Sequence, residues 1–206
     1  MINFLLGRSL NGIPYLLYKR CPQTRWRLYK LERLAWTKRE IPKDMQVGRV
    51  RLLPKSDKTD HPSLMRPISV LNAEGRLFWT FYQTRLSKFM LANNYIQLKV
   101  QKAFLHGVAG CIEHTTSHWE MLQNAKSAER QIVIAWLELE NAYGSVRHML
   151  AQFALKWYHV PESMLELLFK YQERIYLRVE TDKGISNWFH LAYWCSTRLY
   201  WLYYGF

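Results

Sequence analysis

The 206 residues include 49% hydrophobic and 15% aromatic side chains, enough to form the core of one sizeable domain or two small ones, which excludes a disordered tail. Scarce, scattered Gly and Pro exclude a collagenous or low-complexity chain, and three widely spaced cysteines, Cys21, Cys111 and Cys195, argue against a disulfide scaffold or a zinc site. The formal net charge of +13 points to a polyanionic partner, and it is unevenly placed: 20 basic and 6 acidic residues through Lys102, then 9 and 10.

Residues 24–38 set Leu28, Leu31, Leu34 and Ala35 at helical spacing, and Pro42 is expected to stop that helix. Cations alternate with aromatics there, in Arg25-Trp26-Arg27-Leu28-Tyr29-Lys30 and Trp36-Thr37-Lys38-Arg39. That mixture suits phosphate neutralisation with base stacking, although the charge also reads as a solvated, solubilising surface. Residues 47–53 alternate Val47, Val50 and Leu52 with Arg49 and Arg51, predicting a half-buried strand with a cationic face that ends at Pro54. A polar turn over 55–62 precedes the short apolar run Pro67-Ile68-Ser69-Val70-Leu71.

Residues 74–92 are amphipathic through Leu77, Phe78, Phe81, Tyr82, Leu86 and Phe89, with Asn93-Asn94 closing the helix. A Gly-containing loop at 107–110 leads to a helix over about 112–126. Gln131-Ile132-Val133-Ile134-Ala135-Trp136-Leu137 is the strongest strand candidate, β-branched enough for a buried central strand running into Glu138 and Glu140. Ser145 is placed to cap a helix carrying Val146, Leu150, Phe153, Ala154 and Trp157, and Pro161 to open another through Tyr171. Tyr176–Val179 and Ile185–Phe189 flank Thr181-Asp182-Lys183-Gly184 as a hairpin. The order predicts a mixed α/β body whose buried strand ends in carboxylates. Taken alone, such a carboxylate reads first as a solvated strand end and only weakly as a ligand for a hard divalent cation. No run of about 18 uncharged apolar residues or signal-peptide core occurs, so a soluble, intracellular protein without a membrane partner is expected.

Four segments in order carry a more specific signal: Arg51-Leu52-Leu53-Pro54-Lys55, Arg66-Pro67-Ile68-Ser69-Val70-Leu71-Asn72, Gln101-Lys102-Ala103-Phe104-Leu105-His106-Gly107, and Trp136-Leu137-Glu138-Leu139-Glu140-Asn141-Ala142-Tyr143-Gly144-Ser145-Val146. Together they resemble successive motifs of the reverse transcriptases of LINE-type (non-LTR) retrotransposons, over roughly residues 11–190. Asn11-Gly12-Ile13-Pro14-Tyr15 is similar to the family's upstream D-G-[IV]-P segment.

The resemblance implies an α+β fold, the fingers and incomplete palm of a right-hand polymerase: a basic fingers-like region at 1–102, a partial palm at 103–190 and an aberrant tail at 191–206. It assigns Lys55 and Arg66 to the triphosphate of an incoming deoxynucleotide, where a point charge and a planar bidentate donor make chemical sense. It assigns Tyr143 to the nucleotide sugar, against an ordinary core aromatic, and Gln101, Phe104 and Gly107 to shaping of the template and active site, with Ala103 replacing the segment's first glycine. Partners would be an RNA template and an RNA–DNA hybrid, and the cofactor Mg²⁺, two ions about 4 Å apart in templated nucleotidyl transfer.

Two departures bear on activity. Glu138 stands where the family's D-L-x-x-A-[FY] motif has its first Asp, and the added methylene moves the ligand oxygens by about 1 Å, a misplacement that costs on the order of a hundredfold in rate. The family's remaining ligands come from a Y-x-D-D hairpin, whereas the aspartates here are Asp44, Asp57, Asp60 and Asp182, none adjacent to another. The expectation is a truncated, inactive copy, with a non-catalytic basic RNA- or DNA-binding module as the alternative. In the tail, permissible codons from Tyr193 read one nucleotide later spell I-G-V-Q-Q-G-C, similar to the family's G-V-x-Q-G-C, which implies a frameshift just before Tyr193.

Overall fold

The computed structural model describes residues 10–55, 64–102, 107–137, 146–182 and 184–190. Helices α1 (Tyr15–Arg20) and α2 (Pro22–Lys38) precede a 3₁₀ turn (Lys43–Met45), strands β1 (Val47–Pro54) and β2 (Met65–Leu71), and helix α3 (Ala73–Ala92). Helices α4 (Gly110–Ser127), α5 (His148–Trp157) and α6 (Glu162–Arg174) follow, then β3 (Tyr176–Thr181), β4 (Gly184–Ile185) and β5 (Phe189–His190). None of the described helices is long and apolar enough to cross a membrane.

Proline opens α2 at its first position, where no backbone donor is wasted. The helix leaves its path at Arg39, whose left-handed φ of 52° turns the chain three residues before Pro42. Leu28 and Ala35 are its buried positions, while Leu31 and Leu34 remain exposed. Asn93 caps α3, and Asn94 takes the positive φ that follows.

In the sheet the strands run β2-β1-β3-β4, with β5 also on β3. β1 pairs antiparallel with β2 and parallel with β3. The short apolar run of β2 is therefore a full partner strand. One face of β1 lies close to Leu71 and Leu177 at Gly48, where a Cβ would be 2.8 Å from Leu177 Cδ2, 3.0 Å from Leu71 Cδ2 and 3.2 Å from Val70 O. Helices α3 and α6 supply the largest buried groups: Phe78, Trp79, Tyr82, Leu167, Leu168 and Tyr171. The Trp79 and Tyr171 rings lie 4.2 Å apart, and the Tyr82 hydroxyl donates to Met164 O at 3.0 Å. Burial of a leucine such as Leu167 contributes about 1.5–3 kcal/mol.

Three expectations are corrected. Residues 131–137 form no strand: Val133 and Leu137 are 94% and 96% exposed. A buried strand needs a neighbouring ladder and two covered faces, and both edges of the central strand β1 are already taken by β2 and β3. Helix α5 begins at His148, with Arg147 rather than Ser145 at its cap position, Ser145 itself lying outside the described residues. Leu150, Phe153 and Trp157 face solvent because α5 docks through Leu155 and a Gln152–Gln172 hydrogen bond of 2.9 Å, which sets its rotation against α6. On α3, Phe81 is exposed and Trp79 is buried, because Trp79 faces Tyr171 while Phe81 packs edge-on against Trp36 at the surface. The hairpin after α6 forms as expected, β3 against β4, with Gly184 at φ 151°.

Candidate nucleic-acid interface

Alternation along β1 directs Arg49, Arg51 and Leu53 to the face opposite Val50. The register sets Arg49 beside Val70 and Arg178, Arg51 beside Ile68 and Glu180, and Leu53 beside Arg66. Residues paired across strands share a face, so Arg49, Arg51, Arg66 and Arg178 lie on one side of the sheet with Glu180 among them. Lys55 directly follows β1, its backbone N–H donating to Leu64 O at 2.9 Å.

Glu180 organises this face. Its carboxylate lies 3.0 Å from Arg178, 3.4 Å from Arg49 and 4.0 Å from Arg51. Its side chain is 11% exposed, against 15% for Arg49, 28% for Arg178 and 40% for Arg51. Among the described residues one carboxylate thus lies against three guanidiniums, in a partly dehydrated setting where charges interact more strongly than in bulk water. The Arg178 guanidinium also lies 5.0 Å from the Trp188 ring centroid, a cation–π contact. Arg66 and Lys55 extend the patch into solvent at the far end of the β1–β2 ribbon.

The N-terminal Asn11-Gly12-Ile13-Pro14 segment is tied to the end of the Arg66–Asn72 motif. Asn11 N–H donates to Asn72 Oδ1 at 3.4 Å, Asn11 Nδ2 to Glu74 Oε1 at 3.0 Å, and the buried Asn72 donates through Nδ2 to Asp44 O at 2.7 Å. Tyr18 OH donates to the same Glu74 oxygen at 2.6 Å. Burial first, then that hydrogen bond and the Glu74 charge, push the Tyr18 phenol well above its ordinary range. Nearby on α2, burial pushes the Glu32 carboxyl up to about 7.

Of the other residues singled out in the sequence, Gln101 is exposed, its N–H donating to Gln97 O at 2.8 Å. Gly107 is exposed at φ 76°, a conformation that favours glycine, just before α4. Phe104, Glu138 and Tyr143 lie outside the described residues, as do Ser145 and the tail at 191–206. The structure therefore brings Lys55 and Arg66 together but does not relate them to Glu138 or Tyr143. Among the described residues no three His, Cys, Asp or Glu side chains converge as metal ligands. Glu180 and Arg178 are the residues that sequence reasoning missed. Their only signal was the alternation of charged with apolar residues in Tyr176-Leu177-Arg178-Val179-Glu180.

No protein-family model matches the chain. Over 154 residues, 74% of its length, it is 26% identical to the retrovirus-related Pol polyprotein from type-1 retrotransposable element R2 of Nasonia vitripennis. The matched stretch spans 14% of that polyprotein. This similarity to a Pol polyprotein of a retrotransposable element is consistent with the resemblance read from the ordered motifs.

Proposed function

We propose that the chain is a fragment of a reverse-transcriptase domain, its fingers and the first part of its palm, that keeps nucleic-acid binding and has lost templated nucleotidyl transfer. The observation that carries this reading is the placement of Arg66, assigned by family resemblance to the nucleotide triphosphate, on one sheet face with Arg49, Arg51 and Arg178, with Lys55 exposed at the end of the same ribbon. Cations on a rigid ribbon present a fixed array to successive phosphate oxygens, with Arg supplying paired donors and Lys a mobile charge. Glu180 lies among the three inner guanidiniums and reduces their mutual repulsion. An RNA template, an RNA–DNA hybrid and deoxynucleotide triphosphates are the proposed ligands.

Catalytic loss follows from chemistry rather than from the fold. Mg²⁺ would supply the charge that activates the primer hydroxyl and steadies the departing pyrophosphate. Glu138 at the first ligand position reaches too far by one methylene, and no adjacent aspartates in these 206 residues complete a ligand set. Template–primer extension by the purified chain with Mg²⁺ tests this directly, and no incorporation is expected. Incorporation that disappears in Glu138→Ala would overturn it.

A second reading, a basic binding module that owes nothing to polymerase chemistry, is favoured by the concentration of charge through Lys102. The two separate on nucleotide competition. If deoxynucleotide triphosphates displace RNA from the wild-type chain but not from Lys55→Gln/Arg66→Gln, the polymerase-derived reading holds. RNA binding indifferent to triphosphates favours the module.

A further inference from the structure

Helix α2 carries two large aromatics that its own packing leaves outside. Leu28 and Ala35 fix which side of the helix meets the core, and Trp36 completes that contact against Phe81 and Tyr82. This rotation leaves Trp26 55% and Tyr29 43% exposed. One helical turn apart on one ridge, their rings lie 5.4 Å between centroids with planes 24° from parallel. A cation follows each ring by four residues: Lys30 Nζ lies 5.2 Å from the Trp26 centroid and the Arg33 guanidinium 5.9 Å from that of Tyr29. Arg25, Arg27 and Lys38 add further positive charge, and the helix's one carboxylate, Glu32, is partly buried.

We propose that the Trp26–Tyr29 pair is a stacking platform for unpaired RNA, with Lys30 and Arg33 as its phosphate contacts. The inference rests on the nucleic-acid reading above and locates a second part of the binding surface, separate from the sheet face. Bases of a single strand present free π-faces that a duplex hides within its own stack, and these can stack on exposed aromatic side chains whatever the sequence. The two cations can exchange a ring face for a phosphate oxygen without moving the backbone, because both are terminal groups of flexible side chains. An acidic peptide would satisfy the charge of α2 but gives the parallel rings nothing flat to stack on.

The test uses the full chain and a short fluorescein-labelled oligouridylate, followed by anisotropy and by Trp fluorescence. Trp26→Ala/Tyr29→Ala is expected to weaken binding about tenfold or more, and Trp26→Phe/Tyr29→Phe to recover most of the loss. Lys30→Gln/Arg33→Gln should lower the slope of log affinity against log salt by about 1–2. A blunt duplex RNA should bind with no dependence on the two rings. Unchanged oligouridylate affinity in the alanine variant overturns the platform and leaves the nucleic-acid reading standing. Failure of the wild-type chain to bind any RNA overturns both. Binding of polyglutamate with the same Trp26 dependence makes the surface a protein dock and overturns the proposal, as does binding confined to the oligodeoxyuridylate strand. Should the alanine variant lose its thermal transition, the phenylalanine variant decides: wild-type binding supports the platform, and unchanged binding in a Trp26→Leu/Tyr29→Leu variant that melts normally refutes it.

Discussion

Glu32 is a carboxylate in a half-buried position on α2, near Tyr18, and burial raises it to about 7 from an ordinary value near 4.5. The folded chain therefore holds this proton more tightly than the unfolded chain does. Stability falls as pH rises through the interval from about 4.5 to about 7, and above it the penalty is fully present. Glu32→Gln is expected to raise stability at pH 8 by about 1 kcal/mol, a figure reduced for partial solvation, with little effect at pH 4.5. Thermal melts at the two pH values check this, and an equal shift at both would contradict the assignment. Glu180 differs in its surroundings, its carboxylate lying against three guanidiniums. Glu180→Gln leaves Arg49, Arg51 and Arg178 mutually repelling in a partly dry setting and should cost about 1–3 kcal/mol. The loss should shrink at high salt, measured as the urea midpoint with and without added chloride.

Among the elements, α3 is held to the 3₁₀ turn by close approach. A Cβ on Gly75 would lie 3.0 Å from Met45 O, and that carbonyl belongs to backbone whose neighbour Asp44 is already bonded to Asn72. Gly75→Ala, which in a solvent-exposed helix would stabilise, is expected instead to destabilise by about 1–3 kcal/mol, measured by chemical denaturation. The elements also show what periodicity conveys. The 3.6-residue pattern of residues 74–92 located α3 to within a residue and named Phe78, Tyr82 and Leu86 as core. It missed Trp79, because only the position of α6 decides that Tyr171 meets that side. Residues 131–137 have stronger β propensity than β2, yet β2 is the strand, since Met65–Leu71 follows β1 closely enough to close an antiparallel ladder along its full length.

Across the molecule, part of the basic excess through Lys102 lies on α2 and the β1–β2 ribbon, and Arg178 joins the latter from a distant part of the chain because β3 pairs with β1. RNA binding should weaken steeply with salt. Replacing Arg49, Arg51 and Arg178 by Gln should lower the salt slope by about 1 for each phosphate no longer neutralised, while Glu138→Ala leaves it unchanged. A slope untouched by the triple replacement would remove the sheet face from the interface.

The order of side chains along the chain was sufficient for the helices at 22–38, 73–92 and 162–174, the half-buried strand with its arginine face, the hairpin after Tyr176 and the family signal. These depend on side-chain period, caps and short motifs, which are local along the chain. Only the folded arrangement decided that β1 is the central strand, that Glu180 neutralises arginines 131 and 2 residues away, and that 131–137 stands outside the sheet. Parallel pairing between β1 and β3 joins segments separated by most of the chain, and no local pattern encodes which strand will reach which edge.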